Sequence, residues 1–127
     1  KNNHFLGLRT VGYIINEAEL QAARDWYADV LGFPPYFDEP FYVGFNVGGF
    51  ELGLDPDLSG VEYGNNHAAY WGVENIELCL AKLIDSGAKP QRELQDVGGG
   101  VKIASVIDPF GNVLGLIENP LFRIEDR

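Results

Sequence analysis

The order of predicted secondary-structure elements occurs twice in this chain, and this repetition constrains the fold more than any single motif. A strand over 11–15 precedes a helix that ends at Gly32, and a strand over 68–73 precedes a helix that ends at Gly87. Two or three strands follow each helix. Neither half could cover its sheet alone, so we expect an α+β fold in which two sheets meet across a shared cleft.

Clear start and stop signals frame the first helix. Asn16 can accept a hydrogen bond from an early helical N–H, and Glu19 three residues later resembles a capping box. Gly32 and the prolines at 34–35 end the helix, because proline cannot continue the hydrogen-bond ladder. The apolar face recurs at spacings of three and four and comprises Leu20, Ala23, Tyr27, Val30 and Leu31.

An alternation of apolar and small or polar residues follows, which is typical of half-buried strands. A hairpin turn is predicted at Gly48-Gly49, between two such strands. The apolar residues predicted on the buried faces are Phe41, Val43, Phe45, Val47, Phe50, Leu52 and Leu54.

The second half follows the same plan. Asn75 is a predicted helix cap, and the helix's apolar stripe contains Cys79, which we interpret as a small buried residue because no base accompanies it in sequence. Further along the chain we predict a short strand over 91–93, a turn over 98–100 and strands over 101–107 and 113–117.

These boundaries predict one domain over the whole chain, 1–127. Module one covers about 8–55 and module two about 67–120. Between them, 56–66 is rich in Asp, Pro, Gly, Ser and Asn and is predicted to be a linker.

Composition narrows the classes of partner. Nineteen acidic residues against nine lysines and arginines give a formal net charge of −10, which opposes binding to nucleic acid and to anionic membranes. The chain has no apolar run of membrane-spanning length and no signal-peptide pattern, so a cytoplasmic protein is predicted. The same negative field favours a cationic ligand.

Two motifs add to the repetition. Residues 26–32 read Trp-Tyr-Ala-Asp-Val-Leu-Gly at the end of the first helix, and residues 108–112 read Asp-Pro-Phe-Gly-Asn before the last strand. In this order they resemble motifs of the vicinal oxygen chelate superfamily of glyoxalases, extradiol dioxygenases and bleomycin-resistance proteins. The resemblance implies paired βαβββ modules that form a cup-shaped, partly open barrel, commonly a homodimer, with a small-molecule ligand on the concave face.

The resemblance also implies where a metal would be held. Its four ligand positions fall on Thr10, Glu51, Ala68 and Gly115, and only Glu51 can bind a divalent ion well. We therefore predict no metal and no other cofactor. A bulge that re-aims His67 stays open as an alternative, and Glu118 is predicted to be a solvated strand end.

Our leading hypothesis is a metal-independent, homodimeric binding protein that sequesters an organic ligand, with a cationic ligand as one option. Tyr42 and Tyr70 would stack on the ligand and Glu51 would pair with its polar or cationic group. The other residues predicted to line the site are Thr10, Ala68 and Gly115.

Two alternatives stay open. The first is a metal-dependent lyase, isomerase or dioxygenase in which Glu51 is the base, with its pKa raised by an apolar cleft. The second is a scaffold whose cleft has lost its ligand and which binds another protein chain.

Overall fold

The computed structural model describes a chain of two α+β units, 1–62 and 63–127. The residues that it describes are 4, 6–59, 61 and 67–122. Both units have the order strand, helix, three strands, which confirms the predicted fold class and its repetition. Part of the predicted linker, residues 60 and 62–66, lies outside the described residues.

The first unit is a four-stranded sheet with one helix. Its elements are β1 (Thr10–Ile14), α1 (Leu20–Leu31), β2 (Phe37–Glu39), β3 (Tyr42–Val47) and β4 (Phe50–Asp55). The strands lie in the order β1-β4-β3-β2, and β1 runs parallel to β4 while the other neighbours are antiparallel.

The core of this unit lies between α1 and one face of the sheet. Leu20, Ala23 and Tyr27 are the buried residues of the helix, as their spacing predicts. The buried residues of β3 and β4 on this face are Val43, Phe45, Leu52 and Leu54. Because side chains alternate along a strand, the residues between them point to the opposite face, on which the described residues of this unit place no helix.

Two details of the first unit differ from prediction. Asn16 caps a short 3-10 turn over Glu17–Glu19, accepting the N–H of Ala18 at 2.9 Å, and α1 begins only at Leu20. Phe41 was predicted on the buried face, but it lies before β3 in the turn from β2 and is 67% exposed. The predicted alternation was right only from Tyr42 onward.

The second unit repeats the architecture. Its elements are β5 (Tyr70–Gly72), α2 (Ile76–Asp85), β6 (Lys89–Gly98), β7 (Val101–Ile107) and β8 (Val113–Glu118). The strands lie in the order β5-β8-β7-β6, with β5 parallel to β8. β5 is shorter than predicted, and β6 is much longer than 91–93 because register shifts let an exposed edge strand follow β7 along its length.

The turn before β8 has a structural reason for its sequence. Asp108 is 3% exposed, and its Oδ1 accepts the N–H groups of Phe110 at 2.9 Å and Asn112 at 2.8 Å. Gly111 between them has φ of 90°, a conformation that glycine adopts readily. The motif therefore closes a tight turn whose backbone donors are paired.

The end of β8 contacts the start of α2. Glu118 is half-buried, and its Oε1 accepts the N–H of Ile76 at 3.0 Å, while Asn75 accepts the N–H of Leu78 at 3.1 Å. The prediction of a strand end at Glu118 is confirmed, since β8 ends there, but the prediction that its side chain is solvated is wrong. A carboxylate here is favoured by the partial positive charge of the helix N-terminus.

Neither helix in the described part of the chain has the length and apolar character that a membrane span requires.

Candidate functional site

A carboxylate with several hydroxyl donors lies on the face of the first sheet that points away from α1. Oε2 of Glu51 accepts a hydrogen bond from the hydroxyl of Tyr36 at 2.6 Å. Its Oε1 accepts one from Thr10 Oγ1 at 3.0 Å, and the hydroxyl of Tyr42 contributes a third. The structure thus brings together three of the residues predicted for the site, Thr10, Tyr42 and Glu51, and adds Tyr36.

These hydroxyls hold Glu51 in its ionised form. The hydrogen bond from Tyr36 has the largest effect on the pKa of Glu51 and lowers it, burial opposes this, and the bonds from Thr10 and Tyr42 lower it further. The expectation of a raised pKa at Glu51 is therefore wrong. It assumed an apolar surrounding, whereas the actual neighbours are hydrogen-bond donors.

The pKa of the Tyr42 phenol is shifted upward, opposite to that of Glu51. Burial, which has the largest effect, and the negative charge of Glu51 together raise the pKa of Tyr42 to about 12. The pKa of Tyr36 is also raised, first by its hydrogen bond to Glu51. Both phenols remain protonated donors at neutral pH.

Three glycines in register make room for this arrangement. Gly12, Gly53 and Gly44 are paired across β1, β4 and β3. A Cβ on Gly53 would lie 2.0 Å from the hydroxyl oxygen of Tyr42, and one on Gly44 would lie 2.7 Å from Oε2 of Glu51. The aromatic and carboxylate side chains therefore occupy the space above these glycines.

Four aromatic rings form a contiguous cluster beside the carboxylate. The ring centroid of Phe37 lies 6.3 Å from that of Tyr36, 5.9 Å from that of Phe41 and 6.2 Å from that of Tyr42. Phe41 and Tyr36 are strongly exposed, and Tyr36 is 63% exposed. Phe37 is 37% exposed. We call these four residues, 36, 37, 41 and 42, the aromatic cluster.

The predicted site residues of the second unit are arranged differently. Tyr70 pairs with Gly115 across β5 and β8, and Ala68 is exposed in the segment before β5. A Cβ on Gly115 would lie 2.5 Å from the carbonyl oxygen of Ala69 and 3.0 Å from Cδ1 of Tyr70. The Tyr70 ring and the β5 backbone thus fill the space next to Gly115. A ligand role for Tyr70, Ala68 and Gly115 stays a prediction.

The family model of the Glyoxalase/Bleomycin resistance protein/Dioxygenase superfamily matches residues 3–116. The chain belongs to this superfamily. The match covers both βαβββ units and confirms the resemblance drawn from the motifs. No curated protein matches the chain.

Solved structures of this superfamily share the fold. A glyoxalase-related enzyme from Fulvimarina pelagi aligns with a TM-score of 0.76 and 20% identity, over 95% of this chain and 94% of that one. A lactoylglutathione lyase from Agrobacterium tumefaciens aligns with a TM-score of 0.72 and 20% identity, over 96% and 100%. A superfamily member from Sphaerobacter thermophilus aligns with a TM-score of 0.72 and 18% identity, over 92% of this chain and 100% of that one.

The donor set of this superfamily member does not fit the metal site that the family implies. At the four implied positions, Ala68 and Gly115 have no ligating side chain, and the Thr10 hydroxyl already donates to Glu51. His67 is exposed and outside any strand, so no strand bulge re-aims it. Among the described residues, no three His, Cys, Asp or Glu side chains stand close enough to share an ion.

Phe37 and Phe41 of the aromatic cluster were not predicted for the site, and neither was Tyr36, which donates to Glu51. Tyr36 precedes β2, and its N–H donates to the carbonyl of Gly44 at 2.9 Å, which places its ring above that glycine. The only sequence signal for Tyr36 is its position, directly after the prolines at 34–35 and directly before a strand. The contact with Glu51 depends on how β2 pairs with β3, which alternation alone does not give.

Two other features of the structure contain polar or reactive groups away from Glu51. A cavity of about 250 Å³ opens on the α1 side of the first sheet, beside an ion pair of Arg24 and Asp38 at 3.3 Å. Cys79 is half-buried in α2, and burial raises the pKa of its thiol, which disfavours a nucleophilic thiolate. Neither feature contains a catalytic group with a partner base.

Proposed function

We propose that this superfamily member is a metal-independent binding protein that holds an organic cation against Glu51 on the exposed face of the first sheet. The observation that carries the proposal is the set of three hydroxyls that donate to the Glu51 carboxylate and keep it charged. An ionised carboxylate beside exposed rings favours a cation that has an apolar part.

The same observation argues against Glu51 as a general base. A base is most effective when its pKa is close to the working pH, and hydrogen bonding moves the pKa of Glu51 away from neutrality. Binding requires only the charge, which the hydroxyls stabilise. Sequestration of the ligand is therefore the mechanism that we propose.

The remaining parts of the proposal come from the sequence. A net charge of −10 attracts cations toward the protein at low ionic strength. We also propose a cytoplasmic homodimer, and a contact of Tyr70 with the ligand.

The experiment is isothermal titration of the purified, tag-free protein with two organic cations, benzamidinium and benzyltrimethylammonium, and with neutral benzamide. We expect at least one cation to bind and benzamide not to bind. Glu51→Gln should weaken cation binding at least tenfold, whereas Glu17→Gln, which removes one exposed charge from the 3-10 turn, should leave it unchanged.

Two outcomes would overturn the proposal. The first is that neither cation binds, or that both bind equally well to the Glu51→Gln variant. The second is stoichiometric nickel, zinc, manganese or iron in the purified protein, or a rise in melting temperature with one of these ions, which would favour the metal-dependent lyase or dioxygenase alternative.

A further inference from the structure

The aromatic cluster and Glu51 together define a narrower ligand class than an organic cation in general. We infer that the site recognises a quaternary ammonium group, which rests its methyl groups on the ring faces beside the carboxylate. This inference rests on the proposed function and specifies its ligand.

Acceptor capacity at the carboxylate is the first argument. A carboxylate offers about four lone-pair positions, and the hydroxyls of Tyr36, Thr10 and Tyr42 already donate to Glu51. A primary ammonium carries three N–H donors, and those turned toward the ring faces would lose water without gaining an acceptor. A quaternary ammonium carries none, so it gains the attraction of the charge without leaving donors unpaired.

The positions of the rings are the second argument. Phe37 lies within ring-contact distance of Tyr36, Phe41 and Tyr42, so the cluster is one continuous surface. Tyr36 also contacts Glu51, which makes the carboxylate the edge of this surface. Ring faces attract cations within about 6 Å of their centroids, and the attraction strengthens as the cation loses its water.

The exposure of the rings is the third argument. Phe37 pairs with Gly44 in register, so it faces the side of the sheet that α1 does not cover. Phe41 and Tyr36 are both more than half exposed, and a contiguous exposed apolar patch marks an interaction site more often than a single exposed apolar residue does. An acidic group at the edge of an exposed aromatic surface is complementary to a cation that is itself partly apolar.

The test compares three ligands that differ only in the head group: choline, ethanolamine and 3,3-dimethylbutan-1-ol. They present a trimethylammonium, a primary ammonium and a neutral group with the shape of the first. Binding is followed by chemical-shift changes in the ¹⁵N-labelled protein. We expect choline to bind at least fivefold more tightly than either of the others.

Ring variants test the surface itself. Phe37→Leu and Phe41→Leu should each weaken choline binding about two- to fivefold, since each removes one cation–π contact and keeps an apolar side chain. Phe50→Leu is the matched control, because Phe50 belongs to the opposite face of the same sheet by alternation along β4. It should leave choline binding unchanged.

The outcomes separate this inference from the proposed function. If ethanolamine binds as well as choline, or if both ring variants keep full choline affinity, the quaternary-ammonium inference is wrong. Binding of benzamidinium that still depends on Glu51 would then leave the proposed function standing. If no cation shows binding that depends on Glu51, both are wrong.

Discussion

The hydroxyl of Tyr36 donates to Oε2 of Glu51 across a distance of 2.6 Å, although the two residues are 15 positions apart in the chain. Tyr36 reaches the carboxylate because Gly44 has no side chain to block the path. One hydrogen bond thus joins the residue that precedes the edge strand β2 to β4 across β3. It also connects the charge of the site to its aromatic surface.

Stability should depend on pH through Glu51. The folded state lowers the pKa of Glu51 below its usual 4.5, so the stabilisation is complete above that value and is lost as the pH falls through the folded-state pKa. Glu51→Gln should cost about 1 kcal/mol at pH 7 and much less at pH 3. Urea unfolding at both pH values measures this, and an equal cost at both would contradict the assigned charge state.

The two phenols should respond differently to loss of the Glu51 charge. The pKa of Tyr36 is raised first by its hydrogen bond to Glu51, whereas that of Tyr42 is raised to about 12 first by burial. In Glu51→Gln the pKa of Tyr36 should fall toward 10, whereas the pKa of Tyr42 should stay raised, because burial is its largest cause. NMR titration of ¹³Cζ-labelled tyrosines measures both pKa values. Equal changes in the pKa of the two tyrosines would contradict the prediction that Glu51 affects Tyr36 more than Tyr42.

Sequence patterns predicted those parts of the fold that depend on neighbouring residues. Gly32 ends α1 with φ of 89°, Asn75 caps α2, and β7 has the predicted boundaries of 101–107. In each case the physical cause lies within a few residues, either a backbone conformation or a local hydrogen bond. The order of strands and helices followed from these signals.

Features that depend on strand pairing were predicted less well. The length of β6 is set by the partner that it follows, β7, and its own exposed residues carry little periodic signal. Glu118 was misplaced because its acceptor role requires α2 to begin beside the end of β8. Thr10 and Glu51 were predicted from the family resemblance and Tyr42 from alternation along its strand, whereas the contact of Tyr36 with Glu51 depends on the β2–β3 register.

The glycines in register on the first sheet should differ in how well they tolerate a side chain. A Cβ on Gly53 would lie 2.0 Å from the hydroxyl of Tyr42, while a Cβ on its neighbour Gly12 would meet nothing within 4 Å. Gly53→Ala should cost about 1 kcal/mol, since the Tyr42 ring can swing away, and Gly12→Ala should change stability by less than about 0.5 kcal/mol. Urea unfolding measures both changes.

The same pair of variants reports on ligand binding. Displacement of Tyr42 in Gly53→Ala removes a donor to Glu51 and a ring from the aromatic cluster, so cation affinity should fall. Gly12→Ala should keep the affinity of the unaltered protein. A Gly53→Ala variant with full affinity would remove Tyr42 from the proposed site.

The cap that Glu118 gives to α2 should be measurable in the second unit. Its Oε1 accepts the N–H of Ile76 at 3.0 Å beside the positive end of the helix. Glu118→Ala should cost about 1 kcal/mol, and Glu93→Ala on the exposed strand β6 should cost less than about 0.5 kcal/mol. Equal costs would mean that water replaces the carboxylate without loss.

Gly115 should resist substitution more strongly than Gly53 because backbone and not a side-chain tip stands in the way. A Cβ there would lie 2.5 Å from the carbonyl oxygen of Ala69, so β5 must move away from β8. Gly115→Ala should cost about 2 kcal/mol, whereas Gly72→Ala, whose Cβ meets nothing within 4 Å, should be nearly neutral. Urea unfolding of the two variants gives the comparison. Equal stability of the two variants would mean that β5 moves away from β8 at little cost. The expected difference would mean that the close approach of the Ala69 carbonyl requires glycine at position 115.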